Sequence, residues 1–130
     1  MVSRLPFTAV QGLLSGYLES GGNNGQVLGA MIAVVPGQIR FVAAYSQGGG
    51  GNTTILDLQN NGVSVWTNPA DRPILTGAAS GRFASGHINH SAVRVGDILT
   101  LVLAQAGNKT KMVATVAIED PSPYAGAFVG

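Results

Sequence analysis

The sequence predicts an all-β protein built as an antiparallel β-sandwich. Three observations carry that prediction. Short runs alternate apolar and polar residues at period two. Gly, Asn and Pro clusters punctuate those runs. Beyond residue 20 no stretch has convincing helical periodicity. Runs recurring every ten residues or so, about six to eight of them, suit two stacked sheets.

Residues 1–20 read as a unit of their own. Val10, Leu13, Leu14, Tyr17 and Leu18 match one face of a short helix, which Gly12 and Gly16 weaken by roughly 1 kcal/mol each relative to Ala. The stretch is therefore expected to be an extended arm with one or two helical turns. SGGNNG (20–25) follows as a flexible junction. The organisation expected is an N-terminal arm and junction over 1–25, a sandwich over 26–120 and a tail over 121–130.

Within the sandwich, 27–35 is the first strand. Pro36-Gly37 suits a type II turn leading to 38–45 as the partner strand. QGGGGN (47–52) is a glycine loop. The next stretch, ILDLQNNGVSVW (55–66), alternates, halts at Asn60-Asn61-Gly62 and alternates again. Asn-Gly fits the positive φ angles of a type I′ hairpin turn, because Gly has no Cβ and Asn tolerates the left-handed region. Residues 68–73 must be irregular, since Pro69 and Pro73 lack the amide donor of a central strand. The Gly-, Ala- and Ser-rich stretch 75–93 is expected to be a long loop with strand pieces around Arg82-Phe83 and Ile88. ILTLVLA (98–104) follows a Gly96-Asp97 turn, and KMVATVAI (111–118) follows a Gly107-Asn108 turn.

Composition narrows the function. Only 10% of the 130 residues are charged while 45% are hydrophobic and 19 are glycine, against about 25% charged in an ordinary soluble domain. So few charges protect a free monomer poorly against association, so burial in an assembly is expected. A net charge of +1, with the basic residues scattered, forms no nucleic-acid stripe. The absence of cysteine excludes disulfides and thiolate chemistry. No run is long enough for an apolar membrane helix, and the N-terminus has no continuous apolar segment of a signal peptide.

Candidate chemistry is sparse. His87-Ile-Asn-His90 has a metal-ligand spacing but no carboxylate within six residues. The glycines at 48–51 lead into a strand, without the Lys-Ser/Thr pair of a phosphate loop. Asp57, Asp71, Asp97, Glu119 and Asp120 show no acid/base pairing, and no serine sits in a G-x-S-x-G context. No enzyme activity, cofactor or metal is expected. Trp66 and Tyr45 are the aromatic candidates for a surface contact.

In order and spacing, these elements resemble a β-sandwich module of bacteriophage virion proteins. The resemblance covers about 27–118 and is carried by Pro36-Gly37, Ala44-Tyr45, Asp57, Asn61-Gly62, Trp66, Arg72-Pro73 and the Gly96-to-Thr100 strand start. The chain departs from it over 77–91, where the family's loop varies. The resemblance implies a jelly roll, commonly trimeric, in a capsid decoration (cement) protein or in a tail or fibre module that binds a receptor or carbohydrate. With a 20-residue apolar arm and a short tail but no shaft, the chain is expected to be a homotrimeric cement on the capsid surface. Its partner would be the major capsid protein, with no nucleic acid or membrane. Arg4, Leu5, Phe7, Leu13, Leu14 and Tyr17 would then contact the capsid or a neighbouring subunit, contributing little to the sandwich's own stability.

Overall fold

Two antiparallel sheets face each other in the computed structural model, which describes residues 10–20, 22–47, 52–76, 81–107 and 110–119. The first sheet runs β1 (Val10–Ser20), β10 (Thr110–Glu119), β3 (Gly37–Ser46), β7 (Gly81–Ala84), with β8 (Ala92–Val93) also pairing β3. The second runs β2 (Gln26–Ile32), β9 (Ile98–Gln105), β4 (Thr54–Asn60), β5 (Val63–Ser64), with β6 (Ile74–Leu75) also on β4. No α-helix occurs among the described residues; a single 3-10 turn at Pro69–Asp71 is capped by the Asn68 side chain, which accepts from the Ala70 amide.

The pairings nest. Strand β1 meets β10, β2 meets β9, β3 meets β8 and β7, and β4 meets β5 and β6. This is the pattern of one long hairpin with its tip near residues 60–62. Two further ladders, β10 with β3 and β9 with β4, close each sheet.

Period-two alternation sends one row of each strand between the sheets. Leu56, Leu58, Leu99, Leu101 and Leu103 from the second sheet meet Leu14, Leu18, Val42, Met112 and Val116 from the first, all buried in one core. Each large apolar side chain so buried stabilises the fold by about 1.5–3 kcal/mol.

The structure corrects the expected arm. Residues 10–20 are an edge strand, not helical turns, pairing with β10 from Val10↔Glu119 to Ser20↔Thr110. Leu14 and Leu18 belong to the sandwich core, so the sandwich begins before residue 26. Two glycines explain how tightly β1 is held across the sandwich: a Cβ on Gly16 would come within 2.8 Å of the Leu28 Cβ, and one on Gly29 within 2.4 Å of the Ser15 carbonyl oxygen. Deleting 1–20 would therefore remove a core strand. Arg4, Leu5, Phe7 and the tail 121–130 lie outside the described residues.

Two further expectations are corrected. Residues 27–35 and 38–45 do not form a hairpin, because β2 and β3 belong to different sheets. The link between them crosses the sandwich, and Gly37 is the first residue of β3, where a Cβ would meet Ile118 Cγ2 at 2.9 Å and the Glu119 carbonyl oxygen at 3.1 Å. Ile88 lies in no strand; it packs half-buried against the core. The Asn-Gly turn is as expected, with positive φ at both Asn61 and Gly62.

Candidate functional site

The outer rows of the two sheets differ in chemistry. On the first sheet, register places Tyr17, Val113 and Tyr45 side by side across three strands, with Ser15, Thr115 and Ala43 in the next row and Ala117 opposite Phe41 beyond. A register shift between Ala117 and Ile118 leaves Arg40 and Phe41 both exposed on β3, as a bulge does. Tyr17 is 56% exposed, Phe41 49% and Tyr45 45%. Positions 13–17, 41–45 and 113–117, the centres of three adjacent strands, contain no charged residue. A shallow hollow of about 160 Å³ opens among Ala43, Tyr45, Val113 and Thr115. A face of this kind is a candidate interaction surface.

The outer row of the second sheet carries its own polar network. The Ser64 hydroxyl donates to Asp57 Oδ1 at 2.6 Å and the Gln59 amide donates to Asp57 Oδ2 at 3.3 Å. The Trp66 backbone N–H donates in turn to the Ser64 hydroxyl at 3.3 Å. Asp57 is thereby buried with both carboxylate oxygens satisfied, as a structural acceptor.

A polar cleft of about 490 Å³ lies beside the hairpin tip, lined in part by Asn61, Ser64, Asn89, His90, Arg94 and Asp97. Much of its hydrogen-bonding capacity holds the fold together. Asp97 accepts from the Arg94 backbone N–H at 2.8 Å, from Asn60 at 3.0 Å and from Asn61 at 3.1 Å. The Arg94 backbone N–H, then the Asn60 side chain, hold its carboxyl below the ordinary range. Asn61 also accepts from the Ile98 amide, and Asn89 accepts from the Thr67 amide. These bonds lock the 60–62 tip onto the 94–98 turn, while the 89–90 segment is tied to residues 65–67.

The structure separates the residues that sequence reasoning grouped. Leu14 is a core residue, not a contact; the Leu13 position lies on β1, and Tyr17 is on the exposed face. Trp66, expected as a surface contact, is instead buried at 4% exposure. The 89–90 segment lies along it, its two amides donating to the Val65 carbonyl. Tyr45 is exposed as expected. Phe41 and Val113 were missed; their signal was the uncharged stretches 41–45 and 113–117 at the centres of β3 and β10. His87 and His90 are both exposed, and among the described residues no three His, Cys, Asp or Glu gather as a metal-binding group. A scan against known protein families finds no matching family model, and a search of curated proteins finds no significant match.

Proposed function

We propose that the chain is a structural bacteriophage virion protein, a homotrimeric decoration (cement) protein that stabilises the capsid shell and has no catalytic step. The observation that carries this reading is the uncharged centre of the first sheet's outer face, where Tyr17, Phe41, Tyr45 and Val113 present apolar surface over three strands, with the Arg40–Glu119 ion pair at its rim. Leaving it in water is unfavourable, and burial between copies removes it from solvent.

The nested strand order supports a jelly-roll reading of the sandwich. First strand beside last, second beside second-last and so on is what rolling one long hairpin produces. The arm shrinks to residues 1–9, in which Arg4, Leu5 and Phe7 remain the proposed contacts to the major capsid protein.

A second reading, a receptor- or carbohydrate-binding module of a tail or fibre, draws on the polar cleft, to which the 77–91 stretch contributes Asn89 and His90. Burial of Trp66 removes its strongest stacking platform. Location separates the two: labelled antibody against the chain should mark the virion head. Label confined to the tail end would overturn the cement reading.

A further inference from the structure

The chain contains two Asn-Gly pairs, Asn24-Gly25 and Asn61-Gly62. Such pairs are the most prone to spontaneous deamidation, because a glycine nitrogen attacks the preceding side-chain amide with no Cβ in the way. Locally the two turns are alike: φ is +85° at Gly25 and +88° at Gly62, and a Cβ on either would meet nothing within 4 Å. What distinguishes them is how each asparagine is wired.

Asn24 uses one end of its side chain, Oδ1, which accepts from the Ala106 amide at 2.7 Å, while the Gly25 amide donates to the Leu103 carbonyl at 2.7 Å. Asn61 uses both ends. Its Nδ2 donates to Asp97 Oδ1 at 3.1 Å, and its Oδ1 accepts from the Ile98 amide at 3.0 Å. Beside it, the Asn61 backbone amide donates to the Ile98 carbonyl at 2.8 Å and Asn60 Nδ2 donates to Asp97 Oδ2 at 3.0 Å. Gly62 is exposed, and among the described residues its amide has no hydrogen-bond partner. The attacking nitrogen is therefore free, while the amide it would attack is held by the 94–98 turn. The products differ as well. At Asn24 a carboxylate still offers an oxygen to the Ala106 amide. At Asn61 a carboxylate has no proton for Asp97, so two like charges would face each other where a hydrogen bond stood.

We propose that Asn61 is a modification site that works as a one-way latch: the clamp from Asp97 and Ile98 slows its deamidation, and deamidation, once it occurs, frees the hairpin tip from the 94–98 turn. The Gly62 amide loses its proton to solvent base, and its nitrogen lone pair forms a bond to Asn61 Cγ. The Cγ–Nδ2 bond breaks, and ammonia leaves with a proton taken back from solvent. Water then opens the cyclic imide, at Cγ to give an aspartate or at the backbone carbonyl to give an isoaspartate. Either product lacks the Nδ2 donor, so the tip cannot re-form its bond to Asp97. The latch is independent of the virion reading.

The test is peptide mass spectrometry of the full chain, incubated at mildly alkaline pH below its melting temperature, with aspartate and isoaspartate quantified at both positions. Folding should slow deamidation at Asn61 relative to the same chain in denaturant. D97A should speed the folded-state reaction at Asn61 by about tenfold or more, the factor that one hydrogen bond to a charged group supplies, and leave Asn24 unchanged. N61D, which installs the product directly, should melt below wild type and exchange its Ile98 amide faster; N24D should melt as wild type does. An Asn61 rate indifferent to D97A, or raised equally at Asn24, would overturn the proposal. If D97A does not fold, an Asn61 rate in the wild-type chain that is the same folded and in denaturant overturns it. So does an N61D chain as stable as wild type.

Discussion

The outer faces of the two sheets share an architecture and differ in how they end their polar accounting. On the second sheet, Asp57, Ser64, Gln59 and the Trp66 amide satisfy one another. On the first, the central rows are Tyr17, Val113, Tyr45, Ala43 and Phe41, with no charge at positions 13–17, 41–45 and 113–117; charge returns at the rim, where Arg40 pairs with Glu119 and Arg82 lies opposite Tyr45 in register. A strand pattern specifies which row faces the core; it does not say whether the other row faces water. The difference between the faces locates the surface that assembly would bury.

The largest effects should come from the rows the faces have in common. Leu14→Ala should cost about 2–5 kcal/mol of unfolding free energy, as for other buried leucines, measured by denaturant melts. Removing 1–20 should prevent folding, while removing 1–9 should change stability little. Retention of a cooperative melt without 1–20 would contradict the placement of β1 in the core.

The next effect separates the faces. Asp57→Ala leaves the Ser64 and Gln59 donors without their acceptor and should cost about 1–3 kcal/mol. Tyr45→Ser, on the uncharged face, should stay within about 1 kcal/mol when measured on dissociated chains. Equal losses at the two positions would erase the distinction.

The smallest effect is acid sensitivity at the hairpin tip. Because the Arg94 backbone N–H and the Asn60 side chain hold the folded Asp97 carboxyl below the ordinary carboxylate value, its stabilisation is present above that ordinary value. It is lost as pH falls through the lower folded value. Asp97→Asn should flatten that acid limb, read as melting temperature against pH, and leave the neutral region less stable.

Local signals were legible in the sequence and long-range ones were not. The Asn61-Gly62 turn, the β9 and β10 runs and the short strand at Arg82-Phe83 all depend on nearest neighbours. Strand β1 was hidden because Gly16 occupies an inward position without a side chain, breaking the alternation of Leu14 and Leu18. The apolar outward Tyr17 then completed a false helical face. Gly37 looked like a turn residue, yet its constraint is the approach of Ile118 and Glu119, distant in sequence. Trp66 looked exposed at a strand exit because the segment that lies along it, 89–90, is remote. The charge-poor composition gave no position for the apolar surface, and only the register shows that the uncharged centres of three strands lie side by side.

The central claim, that copies bury the uncharged face of the first sheet against one another, is tested most directly by sedimentation equilibrium of the full chain beside its F41E/Y45E variant. The account predicts a wild-type mass three times that of one chain at micromolar concentration, and a folded variant sedimenting as a single chain. A wild-type chain that stays monomeric, or a variant that remains trimeric, would contradict it.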